Sequence, residues 1–153
     1  MIVGGATYSS KKATPYVNKC IDKAKENKNI ILTGYVSYND IPKYYVASDI
    51  GTMISFVDEC ASLVGIESMA AGLPVITTDR GGTPNFISDD CKIVVHEGTS
   101  LEKEISNALT LLVNDKDLRN KMGNAGIERA KCFDKKAYYE NFSALVEEVL
   151  SKK

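Results

Sequence analysis

Short apolar runs alternate along the chain with longer segments in which apolar residues recur every three or four positions. Continuous short runs are typical of strands buried on both faces of a sheet. They occupy residues 1–3, 30–33, 49–55, 74–78 and 92–95. The longer segments have the spacing of amphipathic helices. They occupy residues 14–28, 41–47, 62–71, 101–114, 115–131 and 136–151. This alternation predicts an α/β fold, a Rossmann-like parallel sheet with helices on both faces.

The helix predicted at residues 62–71 has clear signals at both ends. Ser62 is a suitable N-cap residue. Gly72 can adopt the left-handed conformation that ends many helices, and Pro74 prevents the helix from continuing. A helix with these limits begins directly after the loop that follows the third predicted strand.

Ligands of such sheets bind beyond the carboxyl ends of the strands, so the loops at that edge are the first places to look for a site. The loops predicted there are Gly4-Gly5, the segment 34–36 with Tyr35 and Val36, and the segment 55–62. Gly81-Gly82 predicts a further, flexible loop after the fourth strand.

Length and composition exclude several classes of function. A chain of 153 residues favours one domain over residues 1–153. The net charge of −1 offers no basic surface for a nucleic acid, and no apolar run is long enough to span a membrane. His96 is the only histidine, and a lone histidine in a strand-like segment is more often structural than catalytic. We therefore expect neither a Ser-His-Asp site nor a histidine-rich metal site.

The cysteines are spaced too widely to suggest a metal cluster or a paired redox motif. They are Cys20, Cys60, Cys91 and Cys132. The sequence has no signal peptide pattern at its start. We therefore expect reduced thiols and a cytoplasmic protein.

The segment with the most chemical information carries two glutamates separated by seven residues, Glu59 and Glu67. Glu67 falls more than one turn inside the predicted helix, in a small and apolar stretch where a carboxylate needs hydrogen bonds or water. The amides of Ser62, Leu63 and Val64 would point out of the helix start, which is a favourable place for an anion. By themselves, two glutamates are more often plain surface residues.

The residues that follow the second glutamate decide between these interpretations. Glu59, Glu67 and the following Ser-Met-Ala-Ala-Gly-Leu-Pro-Val-Ile at residues 68–76 resemble the donor-site signature of retaining glycosyltransferases of family four. The resemblance continues at residues 29–36, 41–49 and 77–84. It implies the C-terminal half of a GT-B fold, in which two Rossmann-like domains face each other across a cleft.

The resemblance also implies roles for the residues of the loop and helix. Glu67 would bind the ribose hydroxyls of the donor nucleotide. Glu59 would lie beside the transferred sugar and the leaving phosphate, as the candidate catalytic residue. Ser62 and the amides of Leu63 and Val64 would hold the diphosphate.

The other loops at the ligand edge would complete the donor site. Backbone groups near Tyr35 and Val36 would hold the base, and the Gly4-Gly5 loop would line the same edge. The resemblance implies no cofactor, because the nucleotide diphosphate sugar is the donor substrate. It also implies no divalent metal ion.

The sequence departs from the family pattern in two places. Many relatives carry Phe-Gly where this chain has Ala61-Ser62, which leaves the donor sugar open. Relatives also begin this domain with a further strand and helix that carry a basic pair for the diphosphate. We expect this chain to lack that unit and the N-terminal acceptor domain. Missing a central strand would leave strand edges open to a partner chain or a second copy. Arg80, after the fourth strand, has no role that the sequence defines.

Two functions remain open at this point. The first is sugar transfer with retention to a saccharide or lipid-linked acceptor in surface polysaccharide synthesis, by an enzyme of which this chain alone is inactive. The alternative is a non-catalytic half of a split or degenerate glycosyltransferase that binds a nucleotide sugar or a partner. A nicotinamide-binding domain is disfavoured because residues 4–7 read Gly-Gly-Ala-Thr rather than Gly-x-Gly-x-x-Gly. A receiver domain is disfavoured because its acidic triad is missing.

Overall fold

The computed structural model describes residues 1–4 and 14–152. These residues form two compact units, one from Met1 to Tyr44 and one that begins at Tyr45. Helix α2 (Ile41–Val46) runs across the division along the chain. Each unit is described by itself.

The first unit contains helix α1 (Pro15–Lys25) and two isolated β-bridges. Thr14 caps the helix by accepting a hydrogen bond from the Val17 N–H at 3.3 Å, and Pro15 occupies its first position. The bridges join Ile2 to Leu32 and Gly4 to Gly34. The strands predicted at residues 1–3 and 30–33 are therefore present only as single bridges.

The reason for this difference is a lack of burial. No residue that the structure describes in the first unit is fully buried, and Ile2 is 57% exposed. Parallel strands gain most of their stability from side chains packed on both faces. Without that packing the main chains of the two segments are joined by two hydrogen bonds among the described residues, Ile2 N–H to Ile31 O at 2.7 Å and Thr33 N–H to Ile2 O at 3.1 Å.

The second unit contains the sheet. Strands β1 (Gly51–Met53), β2 (Val75–Thr78) and β3 (Lys92–Val95) are all parallel and lie in the order β1-β2-β3. The register pairs Gly51 with Val75 and Val75 with Lys92. The carboxyl ends of the three strands therefore meet at one edge, as the sequence predicts.

Helices cover both faces of this sheet, which confirms the predicted arrangement of a parallel sheet between helices. In chain order after α2 they are α3 (Leu63–Ala70), α4 (Thr83–Phe86), α5 (Leu101–Asn114), α6 (Lys116–Ala130) and α7 (Lys135–Ser151). Val75 and Ile76 are neighbours in β2 and point to opposite faces. Each belongs to a different buried cluster.

The two clusters form the core. The cluster on the Val75 face contains Met53, Met69, Val75, Phe86, Ile87 and Cys91. The cluster on the Ile76 face contains Ile76, Val95, Leu101, Ala108, Leu112 and Met122. Helix α3 is fixed on the first face by Met69, which is fully buried, and by the close approach of α6. A Cβ atom at Gly123 of α6 would lie 2.1 Å from the carbonyl oxygen of Gly72. No described helix has the length and apolar character needed to cross a membrane.

Candidate functional site

The loop and helix between β1 and β2 form the candidate site. The loop leaves β1 after Met53, and α3 begins at Leu63. Thr78, at the end of β2, secures the start of the loop: its hydroxyl accepts from the Ser55 N–H at 3.2 Å and donates to the Ser55 carbonyl at 2.8 Å. The loop is thereby fastened at the carboxyl edge of the sheet, where ligands of such folds bind.

The start of α3 has unsatisfied amides. Ser62 occupies the N-cap position with extended backbone, as predicted, but its hydroxyl makes no capping hydrogen bond. Among the described residues, none accepts a hydrogen bond from the amides of Leu63, Val64 or Gly65. The first turn also contains no acidic residue. These amides and the helix dipole therefore favour an anion at this position.

The other end of α3 is fully closed. Gly72 has φ +74°, and its N–H donates to the Met69 carbonyl at 3.0 Å. The Leu73 N–H donates to the Ser68 carbonyl, also at 3.0 Å. This pair of bonds is a Schellman motif, so the predicted role of Gly72 as the residue after the helix is confirmed.

Glu67 lies on α3, about one turn beyond the free amides, and is half-buried. The hydroxyl of Tyr45 donates to its Oε2 at 3.0 Å. Burial, and then the hydrogen bond to Glu67, raise the pKa of Tyr45 well above its ordinary value, so the phenol remains a neutral donor. No described residue donates to the Glu67 Oε1. Tyr45 is a residue of the candidate site that the sequence did not reveal.

Glu59 lies in the loop, half-buried, and its backbone rests on the loop after β2. The Gly82 N–H donates to the Glu59 carbonyl at 2.6 Å. A Cβ atom at Gly81 would lie 2.4 Å from the Glu59 carbonyl oxygen, and Gly81 has φ +57°. Gly81 and Gly82 are thus needed for close packing against the Glu59 backbone, which the prediction of a flexible loop did not capture.

Arg80 borders the same loop and makes a two-pronged ion pair with Glu97, the second residue after β3. Its Nε and Nη2 donate to the two carboxylate oxygens of Glu97, each at 2.5 Å. Its Nη1 lies 3.7 Å from Oδ1 of Asp58. Hydrogen bonding to Arg80 lowers the pKa of the Glu97 carboxyl, and the same bond raises the pKa of Arg80. Its position after β2 was the only sequence signal for Arg80.

The remaining predicted residues lie in the first unit. Gly4 forms one of the bridges, and its N–H donates to Thr33 Oγ1 at 3.3 Å. Gly5 falls outside the described residues. Tyr35 is exposed and Val36 is half-buried. Five of the predicted site residues lie in one loop and helix of the second unit: Glu59, Ser62, Leu63, Val64 and Glu67. The functional roles of all the predicted site residues, including Gly4, Gly5, Tyr35 and Val36, stay predictions.

Within residues 1–4 and 14–152, no group of three or more His, Cys, Asp or Glu side chains is placed to hold a metal ion. Asp115 and Asp117 are two carboxylates only two positions apart, a spacing that could suit a metal ion. However, Asp115 accepts a hydrogen bond from the Leu118 N–H at 2.8 Å and caps α6. His96 is exposed, and its Nδ1 lies 3.2 Å from Oε2 of Glu104. The absence of a metal from the reaction stays a prediction.

Comparison with known proteins relates this arrangement to one family. The model of the family described as glycosyl transferases group 1 matches residues 1–129. A GDP-mannose-dependent alpha-(1-6)-phosphatidylinositol monomannoside mannosyltransferase of Mycobacterium tuberculosis is 27% identical over 134 residues, covering 84% of this chain and 33% of that protein. The chain spans about a quarter to a third of the curated relatives that it matches.

Two solved structures show the same fold. The C-terminal domain of a glycosyl transferase group 1 family protein (LpcC) from Francisella tularensis has 30% sequence identity and a TM-score of 0.64, covering 78% of this chain and 64% of that one. Anabaena HepE in complex with UDP-glucose has 20% identity and a TM-score of 0.75, covering 99% of this chain and 40% of that one. The chain therefore belongs to the glycosyl transferases group 1 family, and its fold is that of part of a GT-B glycosyltransferase.

Proposed function

We propose that this chain binds a nucleotide diphosphate sugar at the start of α3, as the donor side of a retaining glycosyltransferase. The observation that carries the proposal is the grouping of free amides and two glutamates around the start of α3. Free amides stand at the start of α3, Glu59 precedes them, and Glu67 follows them with one carboxylate oxygen unpaired. The whole enzyme would transfer the sugar to a saccharide or lipid-linked acceptor in surface polysaccharide synthesis.

The diphosphate would lie against the start of α3. The amides of Leu63 and Val64 supply directed donors, and the helix dipole adds a partial positive charge. As the bond between sugar and phosphate breaks, negative charge grows on the leaving phosphate. Donors fixed in advance at that place stabilise the transition state more than the ground state.

The ribose would bind Glu67. A carboxylate offers about four lone-pair positions, and Tyr45 occupies one of them at Oε2. The remaining positions can accept both hydroxyls of a vicinal diol. Because the Tyr45 phenol keeps its proton, it donates a hydrogen bond that holds the Glu67 carboxylate in place.

The transferred sugar would lie beside Glu59. Its carboxylate makes no hydrogen bond or ion pair with the described residues. A negative charge there would stabilise the positive character that develops on the sugar ring during transfer. We assign Glu59 as the candidate catalytic group on this basis, and retention of configuration is part of the same proposal.

The relatives suggest which nucleotides to test. HepE was solved with UDP-glucose, and the mycobacterial relative is named as GDP-mannose-dependent. UDP and GDP are therefore the first probes. The donor is a substrate rather than a cofactor, and a cytoplasmic location stays a prediction.

Isothermal titration calorimetry of the chain with UDP and GDP tests the proposal. We expect one nucleotide to bind saturably and the Glu67→Ala variant to bind it about tenfold to a hundredfold more weakly, the loss of a hydrogen bond to a charged group. Glu102→Ala is the matched control, since Glu102 is an exposed helical glutamate. Unchanged affinity in Glu67→Ala, or no binding of either nucleotide by the folded chain, would contradict the proposal.

A further inference from the structure

Two loops at the carboxyl edge of the sheet are stacked on each other through their backbones. One is Asp58-Glu59-Cys60, here the glutamate loop, and the other is Arg80-Gly81-Gly82, here the glycine loop. The Gly82 N–H donates to the Glu59 carbonyl at 2.6 Å. A Cβ atom on Gly82 would lie 2.3 Å from the Cys60 carbonyl oxygen. Any side chain at that position must therefore displace the glutamate loop.

Arg80 adds an electrostatic restraint to this stack. Its guanidinium is held by both oxygens of Glu97 at 2.5 Å, and its Nη1 faces the Asp58 carboxylate at 3.7 Å. Glu97 follows β3, so the arginine links the end of the sheet to the residue just before Glu59. With carboxylates on two sides, Arg80 has little net charge to offer a phosphate.

We propose that Arg80, together with Gly81 and Gly82, is a positioning residue that sets the place of Glu59, and thereby controls recognition of the sugar part of the donor rather than its nucleotide part. This inference rests on the proposed function, in which Glu59 lies beside the sugar while Glu67 and the α3 amides hold the nucleotide. Moving the glutamate loop should then weaken binding of the sugar part of the donor and leave binding of the nucleotide part unchanged.

The restraint itself can be measured without any ligand. Amide hydrogen exchange followed by NMR reports the Gly82 N–H, which is bonded to the Glu59 carbonyl. We expect Arg80→Gln and Glu97→Gln to speed exchange at Gly82 about 1.5-fold to fivefold, the size expected of a partly exposed ion pair. Arg119→Gln is the control, because Arg119 instead binds the Leu112 and Val113 carbonyls at the end of α5. Unchanged exchange in both test variants would overturn the restraint.

The effect on recognition is measured by calorimetry with pairs of probes, UDP against UDP-glucose and GDP against GDP-mannose. For Gly82→Ala we expect the ratio of nucleotide-sugar affinity to nucleotide affinity to fall about tenfold, with nucleotide affinity unchanged. Arg80→Gln should lower the ratio about threefold, and Arg80→Lys, which keeps the charge, should recover part of it. Asn107→Ala is the control, since Asn107 is exposed on α5 and belongs to neither loop.

The two tests separate the possible failures. If Arg80→Gln weakens UDP or GDP as much as the nucleotide sugar, the arginine contacts the diphosphate directly and the positioning role is wrong. An unchanged ratio in Gly82→Ala would also overturn it. If the wild-type chain binds no nucleotide, the proposed function fails, and the inference about sugar recognition fails with it, while the Gly82 exchange still decides whether Arg80 restrains the glutamate loop.

Discussion

The two ends of α3 are built in opposite ways. At its carboxyl end, Gly72 and Leu73 return hydrogen bonds to the helix carbonyls, and Gly123 of α6 packs closely on the Gly72 backbone. At its amino end, Ser62 leaves the first amides without a side-chain cap. A helix that is closed at one end and open at the other is held firmly while presenting donors to a ligand. The closed end serves stability, and the open end is where we place function.

Breaking the closed end should have the largest effect. Gly72→Val forces a β-branched residue to φ +74° and brings a Cβ atom within 3.2 Å of the Ile127 side chain. We expect a loss of about 2–3 kcal/mol of unfolding free energy in urea titrations, from backbone strain and crowding together. Gly72→Asn is the control, because asparagine tolerates the left-handed region, and it should lose less than half as much. Equal stability of wild type and Gly72→Val would contradict the assigned role.

A carboxylate at the open end of α3 should raise the stability of the fold and weaken nucleotide binding. Leu63→Asp places a carboxylate in the first turn of α3, at a side chain that is 66% exposed. We expect about 0.3–1 kcal/mol of added stability from the helix dipole, and nucleotide affinity about tenfold or more lower through repulsion of the diphosphate. Leu63→Asn supplies the shape without the charge. Undiminished nucleotide affinity in Leu63→Asp would mean that the phosphates bind elsewhere.

Loosening Glu67 should have a smaller effect on the open end. Tyr45→Phe removes the hydrogen bond to Oε2 and leaves the ring packed. We expect nucleotide affinity to fall about threefold to tenfold, less than in Glu67→Ala, because the carboxylate is kept but is less well ordered. Tyr139→Phe is the control, because Tyr139 is exposed on α7. A Tyr45→Phe variant with wild-type affinity would show that Tyr45 contributes only to packing.

The smallest effect concerns pH and the loop beside the open end. Arg80 lowers the pKa of the Glu97 carboxyl from its ordinary value of 4.5. Because the folded carboxyl has the lower pKa, the ion pair stabilises the fold above about pH 4.5, and this stabilisation is lost as pH falls through the folded pKa. The urea midpoints of wild type and Glu97→Gln should therefore differ slightly at pH 7 and converge near pH 3. If the urea midpoints still differ at pH 3, the ion pair is not the cause of the difference.

The sequence predicted the parts of this picture that depend on local pattern. The run of apolar residues in β2, the helix that precedes it and the cap residue Gly72 were all correctly assigned, since each follows from spacing or from one residue's conformational range. The strands predicted at residues 1–3 and 30–33 were not, because a short apolar run does not reveal whether neighbouring elements will bury it.

The contacts across the candidate site could not be predicted from pattern. Tyr45 lies 22 residues from Glu67, and nothing in the sequence indicates which of two adjacent tyrosines reaches the carboxylate. The packing of Gly81 and Gly82 on the Glu59 backbone, and the ion pair from Arg80 to Glu97, also join segments that are distant along the chain. The sequence located the loops, while the structure shows how they are held together.

The most direct test of the central claim is an NMR titration of the ¹⁵N-labelled chain with UDP and GDP. We predict that the largest chemical-shift changes occur at the amides of Leu63, Val64 and Gly65, with smaller changes at the amide of Glu67. Saturable changes confined to other segments, such as α5 or α7, with the α3 amides unmoved, would contradict the assignment of the open end as the donor site.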